Sequence, residues 1–174
     1  MKHRVPLETE IKLRIPSCEA LAPLLGALGF QEKVAAQEEV SVLLDRGGEL
    51  FTQQSALRLR RFAGSARLTW KGPVMADPLL KIRPEVETGV EDGEAIEGIL
   101  KALGFEPVLR MVKTRAVYER AELEACLDRT PFGDFLELEG DAHAIKLAME
   151  GLGLNASHVE KRSYPTLWRE GAGR

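Results

Sequence analysis

Near the start of the chain, Glu8-Thr9-Glu10-Ile11-Lys12 alternates charged and other residues. In an extended strand, side chains two apart share a face. Glu8, Glu10 and Lys12, with Arg14 beyond, therefore lie together, opposite Ile11, Leu13 and Ile15. The same texture recurs along the chain. Arg58 and Arg60 share one face; Arg67, Thr69 and Lys71 share another. Lys81, Arg83, Glu85 and Glu87 form a third set, and Lys113 with Arg115 a fourth. Asp128 ends a strand, and Glu137 with Glu139 opposes Leu136 and Leu138. Arginine forks and lysine amines bind phosphoryl oxygens. Clustered carboxylates hold hard cations such as Mg²⁺ or Mn²⁺. Together these residue types suit a polyphosphate with its metal.

The elements that must position them are short. Period-2 alternation predicts strands over 7–15, 38–44, 55–62, 66–71, 79–88, 111–119, 122–128 and 134–139. Helices are expected over 17–28, 92–103 and 141–152, opened by Ser17, Asp92 and Asp141 as N-caps. A last helix is expected near 156–163, after Asn155 and before Pro165. A weak repeat runs through the chain: three times, a Glu-x-Glu strand precedes a helix ending in Leu-Gly-apolar. The stops are Leu28-Gly29-Phe30, Leu103-Gly104-Phe105 and Leu152-Gly153-Leu154. Asp45-Arg46-Gly47-Gly48 and Ala63-Gly64-Ser65 read as hairpin turns. Pro84 implies a bulged or edge fifth strand. The expectation is an α+β fold in one domain, 1–174, whose antiparallel strands close into a barrel with helices on one side.

For one strand, charges at alternate positions ordinarily face water. The whole set favours an inverted barrel, with apolar faces packed outward on helices and charged faces lining the lumen. Such burial costs several kcal/mol per uncompensated ion. A polyphosphate with metal ions compensates both signs. Alternation alone leaves open which face points inward.

Composition narrows the rest. A net charge of −3 across 174 residues argues against a nucleic-acid partner. The N-terminus lacks the apolar stretch of a signal peptide, and no apolar run is long enough to span a membrane. Cys18 and Cys126 are far apart and the three histidines do not cluster, so zinc is not expected. Phosphate-binding glycine loops and the nucleophile elbow are absent.

The motifs ALRLR (56–60), LTWKGP (68–73), KIRPEVE (81–87), KTR (113–115), CLDRTPFGDFLELEG (126–140) and KRSYPTL (161–167) follow the opening Glu-x-Glu-x-Lys. In this order, over nearly the whole chain, they resemble the CYTH or triphosphate tunnel metalloenzyme superfamily, and within it the class IV adenylyl cyclase-like proteins. The resemblance implies an eight-stranded antiparallel tunnel holding a triphosphate. Glu8, Glu10, Asp128, Glu137 and Glu139 would serve as metal ligands or support them. Lys12, Arg58, Arg60, Lys71, Arg83, Lys113, Arg115 and Lys161 would bind phosphates, with Lys12, Arg58 and Arg60 as the catalytic set. Glu85, Glu87 and Lys81 would support them. Mg²⁺ or Mn²⁺ would be the cofactor. The substrate would be ATP, inorganic triphosphate or thiamine triphosphate. A cytoplasmic enzyme, dimeric as the family often is, would follow. The family's aromatic-acidic stretch after the first helix is replaced here by VSVLLDRGG, which keeps only Asp45. Cyclase, triphosphate hydrolase and non-catalytic polyphosphate binder all remain open. The acids argue against the last.

Overall fold

The computed structural model describes residues 5–171; His3 lies outside them. Eight strands form a closed barrel in the order β1-β5-β4-β3-β2-β6-β7-β8. They are β1 (Leu7–Ile15), β2 (Gln31–Asp45), β3 (Ala56–Phe62), β4 (Ser65–Lys71), β5 (Lys81–Val90), β6 (Glu106–Arg120), β7 (Leu123–Thr130) and β8 (Gly133–Glu139). The helices α1 (Cys18–Ala27), α2 (Glu49–Thr52), α3 (Gly93–Ala102), α4 (Ala142–Gly151) and α5 (Tyr164–Gly171) lie outside it. The fold is α+β, as the alternation implies.

Contacts divide the chain into two compact units. Among the described residues, the first holds 5–8, 39–75 and 82–112. Its apolar core joins Val42, Leu44 and Leu59 to Leu100 of α3, flanked by Leu57, Leu68, Ile96 and Phe105. The second holds 9–38, 76–81 and 113–171. There Ile11, Leu13, Leu136 and Leu138 are at most 1% exposed, as are Leu25 of α1 and Ile145 of α4. The apolar strand faces thus meet helices, leaving the charged faces to the barrel interior.

The three Leu-Gly-apolar stops do the same job. Gly29, Gly104 and Gly153 take positive φ angles of 83°, 86° and 70°. The amides of Phe30, Phe105 and Leu154 then reach back to the carbonyls of Leu25, Leu100 and Met149, the bond pattern of a Schellman stop. Ser17, Asp92 and Asp141 cap α1, α3 and α4 as expected. The β3–β4 turn places Ala63 and Gly64 at φ 51° and 72°, which gives the twist a two-residue hairpin needs.

Several expectations need correction. Residues 156–163 are not a helix. Asn155 caps only a 3₁₀ turn, Ala156–His158, and α5 starts later, at Tyr164. Pro165 does not stop that helix; it sits in the first turn, where no amide partner is required. Asp45–Gly48 is not a bare hairpin turn but leads into α2. Asp45 accepts amide hydrogens from Arg46, Leu50 and Phe51. Burial works to raise the Asp45 pKa, but these amides hold it below its usual value. β5 is not an edge strand, because the barrel is closed; the Pro84 carbonyl accepts from the Gly72 amide at 2.8 Å. β2 and β6 also run beyond the predicted 38–44 and 111–119. Residues 31–38 are mostly exposed on both faces, so no apolar alternation marks them.

Leu138 is fully buried. Replacing it with Ala removes packing that helices and strands share. A loss of about 2–5 kcal/mol is expected, read as a lower urea midpoint at unchanged slope.

Candidate functional site

The charged faces are largely buried, which separates them from an ordinary solvated sheet face. Glu8, Lys12, Lys71, Lys113, Arg115 and Asp128 are at most 9% exposed. In the second unit, cross-strand register sets neighbours. Lys12 stands opposite Glu137, and Arg115 opposite Asp128. Arg115 donates to Asp128 Oδ1 at 2.6 Å and Oδ2 at 2.5 Å, and to Glu137 Oε2 at 2.6 Å. Lys113 Nζ donates to Asp128 Oδ2 at 2.9 Å. Lys12 Nζ lies 3.5 Å from Glu137 Oε1 and donates to the Arg162 carbonyl at 3.1 Å.

These neighbours set protonation. Burial would raise the Glu137 carboxyl pKa, but Lys12, Lys113 and Arg115 outweigh it and hold the group well below the usual carboxylate range. Burial lowers the Lys12 pKa, against the pull of Glu137 and Glu10. The ionised carboxylate thus depends on its cations.

Tyr164, at the start of α5, joins the same cluster. Its hydroxyl donates to Asp128 Oδ2 at 2.6 Å. Burial, then the nearby carboxylates, push its phenol pKa well up, so it stays a donor.

The first unit carries two further clusters. Glu8 accepts from Lys71 at 2.5 Å and Arg83 at 2.9 Å, and Lys71 also pairs with Glu85 at 2.8 Å. Glu87 gathers Arg67 at 2.7 Å, Thr69 at 2.7 Å, Arg60 at 3.4 Å and Arg58 at 4.0 Å. Burial opposes ionisation of Glu87, yet Thr69, Arg67, Arg60 and Arg58 keep its pKa low. Glu39, 1% exposed, lies 3.8 Å from Arg60 Nη1 and accepts from Ser41.

The predicted acids thus fall into two groups. Glu8, Asp128 and Glu137 sit in ion pairs with the predicted bases. Glu10 and Glu139 sit opposite each other across β1 and β8, and Glu124 is opposite Glu139 on β7. Like charges at adjacent positions repel, and an all-oxygen donor set suits a hard divalent cation. Lys81 Nζ reaches Glu10 Oε1 at 2.9 Å. Among the described residues no three acids already converge as a metal cage. Lys161 is exposed and is not drawn into any of these clusters. The sequence expectations name Thr69 on a charged face without giving it a role, and they do not include Glu39, Glu124 or Tyr164. Thr69 and Tyr164 stand inside the motifs LTWKGP and KRSYPTL, and Glu39 is the single acid on its face of the predicted strand 38–44.

The fold is a closed barrel whose strands carry buried basic and acidic side chains. The CYTH-domain family model matches residues 6–162, and the chain belongs to the CYTH family. It is similar to a Methanocaldococcus jannaschii protein provisionally named an adenylate cyclase, at 36% identity over 136 residues, covering 76% of each chain. Among solved structures, a Vibrio parahaemolyticus protein with the same provisional name superposes with TM-score 0.83 at 22% identity, covering 95% of this chain and 99% of that one. A Hippeastrum protein provisionally named an adenylyl cyclase and described as having a dominant triphosphatase activity has TM-score 0.71 at 23% identity, covering 94% and 96%. Membership of this metalloenzyme family carries divalent-metal dependence with it.

Two predictions follow from the ion pairs. Asp128→Asn keeps the shape but leaves Lys113 and Arg115 facing a neutral amide. Breaking a buried pair this way is expected to cost about 3–5 kcal/mol, measurable by denaturant unfolding. Outside the barrel, Glu160 is held at about 2, first by the Arg162 hydrogen bond, with burial opposing and Arg14 adding to the effect. A depressed folded pKa adds stability above the unfolded value, and that stability is lost as pH falls through about 2. Carboxyl NMR of Arg162→Gln should show Glu160 titrating closer to the ordinary range.

Proposed function

We propose that this chain is a divalent-metal-dependent enzyme that opens a phosphoanhydride bond of a triphosphate held inside the barrel. The supporting observation is the burial of Lys12, Lys71, Lys113 and Arg115 on inward strand faces, at 5 to 9% exposure. Side chains with several N–H donors are thereby gathered where phosphate oxygens would be bound.

In this reading Lys12, Lys113 and Arg115 bind phosphate oxygens in one unit. Lys71, Arg83, Arg58 and Arg60 do so in the other. Their carboxylate partners hold them extended until a phosphate competes for the same N–H groups. A cation held by Glu10 and Glu139 would neutralise phosphate oxygens and favour departure of the leaving group. Lys12, Arg58 and Arg60 stabilise negative charge that grows as the P–O bond breaks. Catalysis is then mainly positioning and electrostatics.

The leading reaction is adenylate cyclisation. The ribose 3′-hydroxyl of ATP attacks the α-phosphorus, the α–β bridging bond breaks, and pyrophosphate leaves. The name of the Methanocaldococcus relative favours it. The second reading is hydrolysis of inorganic, thiamine or nucleoside triphosphate, favoured by the activity described for the Hippeastrum neighbour. We further propose that residues 1–174 act as one cytoplasmic domain, dimeric, with no nucleic-acid or membrane partner.

Phosphorus NMR of the purified protein with Mg²⁺, run separately on ATP and on inorganic triphosphate, tests this. A cyclic phosphodiester signal with pyrophosphate from ATP is expected. Orthophosphate and pyrophosphate from triphosphate, with ATP left intact, would replace the cyclase by the hydrolase. Metal chelation, Glu10→Gln and Glu139→Gln are each expected to cut turnover at least ~100-fold. Tight triphosphate binding without turnover under saturating metal would sink the enzyme reading.

A further inference from the structure

The C-terminal segment is tied to Lys12 at three points. The Glu160 amide donates to the Lys12 carbonyl at 2.9 Å, and Val159 bridges Leu13 next to it. The Arg162 carbonyl accepts from Lys12 Nζ at 3.1 Å. The third tie is the Tyr164 ring, whose centroid lies 4.0 Å from Lys12 Nζ and 4.2 Å from Lys113 Nζ. One aromatic ring thus serves two ammonium groups from different strands.

We propose that Tyr164 is a positioning residue that holds the Lys12 and Lys113 ammonium groups together as one two-pronged anion receptor. The proposal rests on the reading that these lysines meet phosphate. The argument is electrostatic. Two ammonium groups drawn close repel, and the negative ring face offsets that repulsion at short range. The ring cannot drift. Phe135 and Trp168 pack edge-to-face on it at centroid distances of 5.7 and 6.0 Å. Its hydroxyl is anchored on Asp128 Oδ2, the oxygen that also receives Lys113. The amines are therefore in place before any anion arrives, and less ordering is left for binding to accomplish.

The test compares shape with ring charge. Tyr164→Phe keeps the ring. Pentafluorophenylalanine at position 164 keeps its shape but removes the negative face. Calorimetric binding of inorganic triphosphate with Mg²⁺ is expected to stay within about threefold for Phe and to weaken about tenfold for the fluorinated ring. In turnover assays KM should rise and kcat should fall with it, because the Lys12 that the ring positions also meets the charge growing on the breaking bond. Trp168→Leu loosens the same aromatic cluster without touching a lysine. It should lower the melting temperature and weaken affinity clearly less than the fluorinated ring does.

A ligand-free readout keeps the two ideas separate. Ring currents from Tyr164 should shift the ε-methylene proton signals of both lysines, and Tyr164→Leu should abolish that shift. If wild-type protein fails to bind triphosphate, the proposed function falls while these NMR shifts still decide the geometry. Unshifted lysine signals in the wild type would overturn the proposal. So would equal affinity of the phenyl and pentafluorophenyl proteins, or an affinity loss in Trp168→Leu as large as that of the fluorinated ring.

Discussion

The constraint on which the rest depends is the free energy of keeping ions away from water. Each buried charge costs several kcal/mol unless a partner restores what hydration supplied. Asp128 has no exposed surface, yet it stays in place because Arg115, Lys113 and Tyr164 all donate to it. Such a lattice tolerates few substitutions, since removing one member strands the others. It also explains the doubled arginines and glutamates. Planar guanidinium forks meet both oxygens of one carboxylate in a fixed geometry, as Arg115 does on Asp128, whereas an amine is a point charge without that fork.

Much of this was legible in the strand alternation. Charged and apolar residues had to lie on opposite faces whichever way the sheet closed. The helices α1, α3 and α4 were legible for a local reason: a capping side chain at one end and a left-handed glycine at the other act within a few residues. Elements lacking such markers were not. The outer half of β2 is exposed and polar, and α2 is a single turn held by one carboxylate. α5 begins at Tyr164-Pro165, where proline reads as a stop although the first turn accepts it.

Partners were harder to read than faces. Alternation says that Glu8 and Glu10 share a side but not what stands opposite. Register decides that, and register is a property of the assembled sheet. It places Glu137 beside Lys12 and Arg115, and Glu10 beside Glu139. The five candidate acids, four glutamates and Asp128, thereby acquire different partners. Tyr164 was invisible for a related reason: its partners Lys12, Lys113 and Asp128 come from β1, β6 and β7, distant in sequence from α5.

The ion pairs also bear on specificity. The carboxylates that hold the basic groups in the free protein are the groups a phosphate must outcompete. An anion with one charge gains little by displacing Glu87 from Arg58, Arg60 and Arg67, because it offers the same contacts. A chain of phosphates carrying its own metal offers more oxygens and more charge per unit of ordering entropy. Under the proposed function the charged faces would therefore favour polyanions as a class. Under the proposed function, what separates cyclisation from hydrolysis is the identity and angle of the attacking hydroxyl or water, because the basic groups would stabilise the departing phosphate in either case.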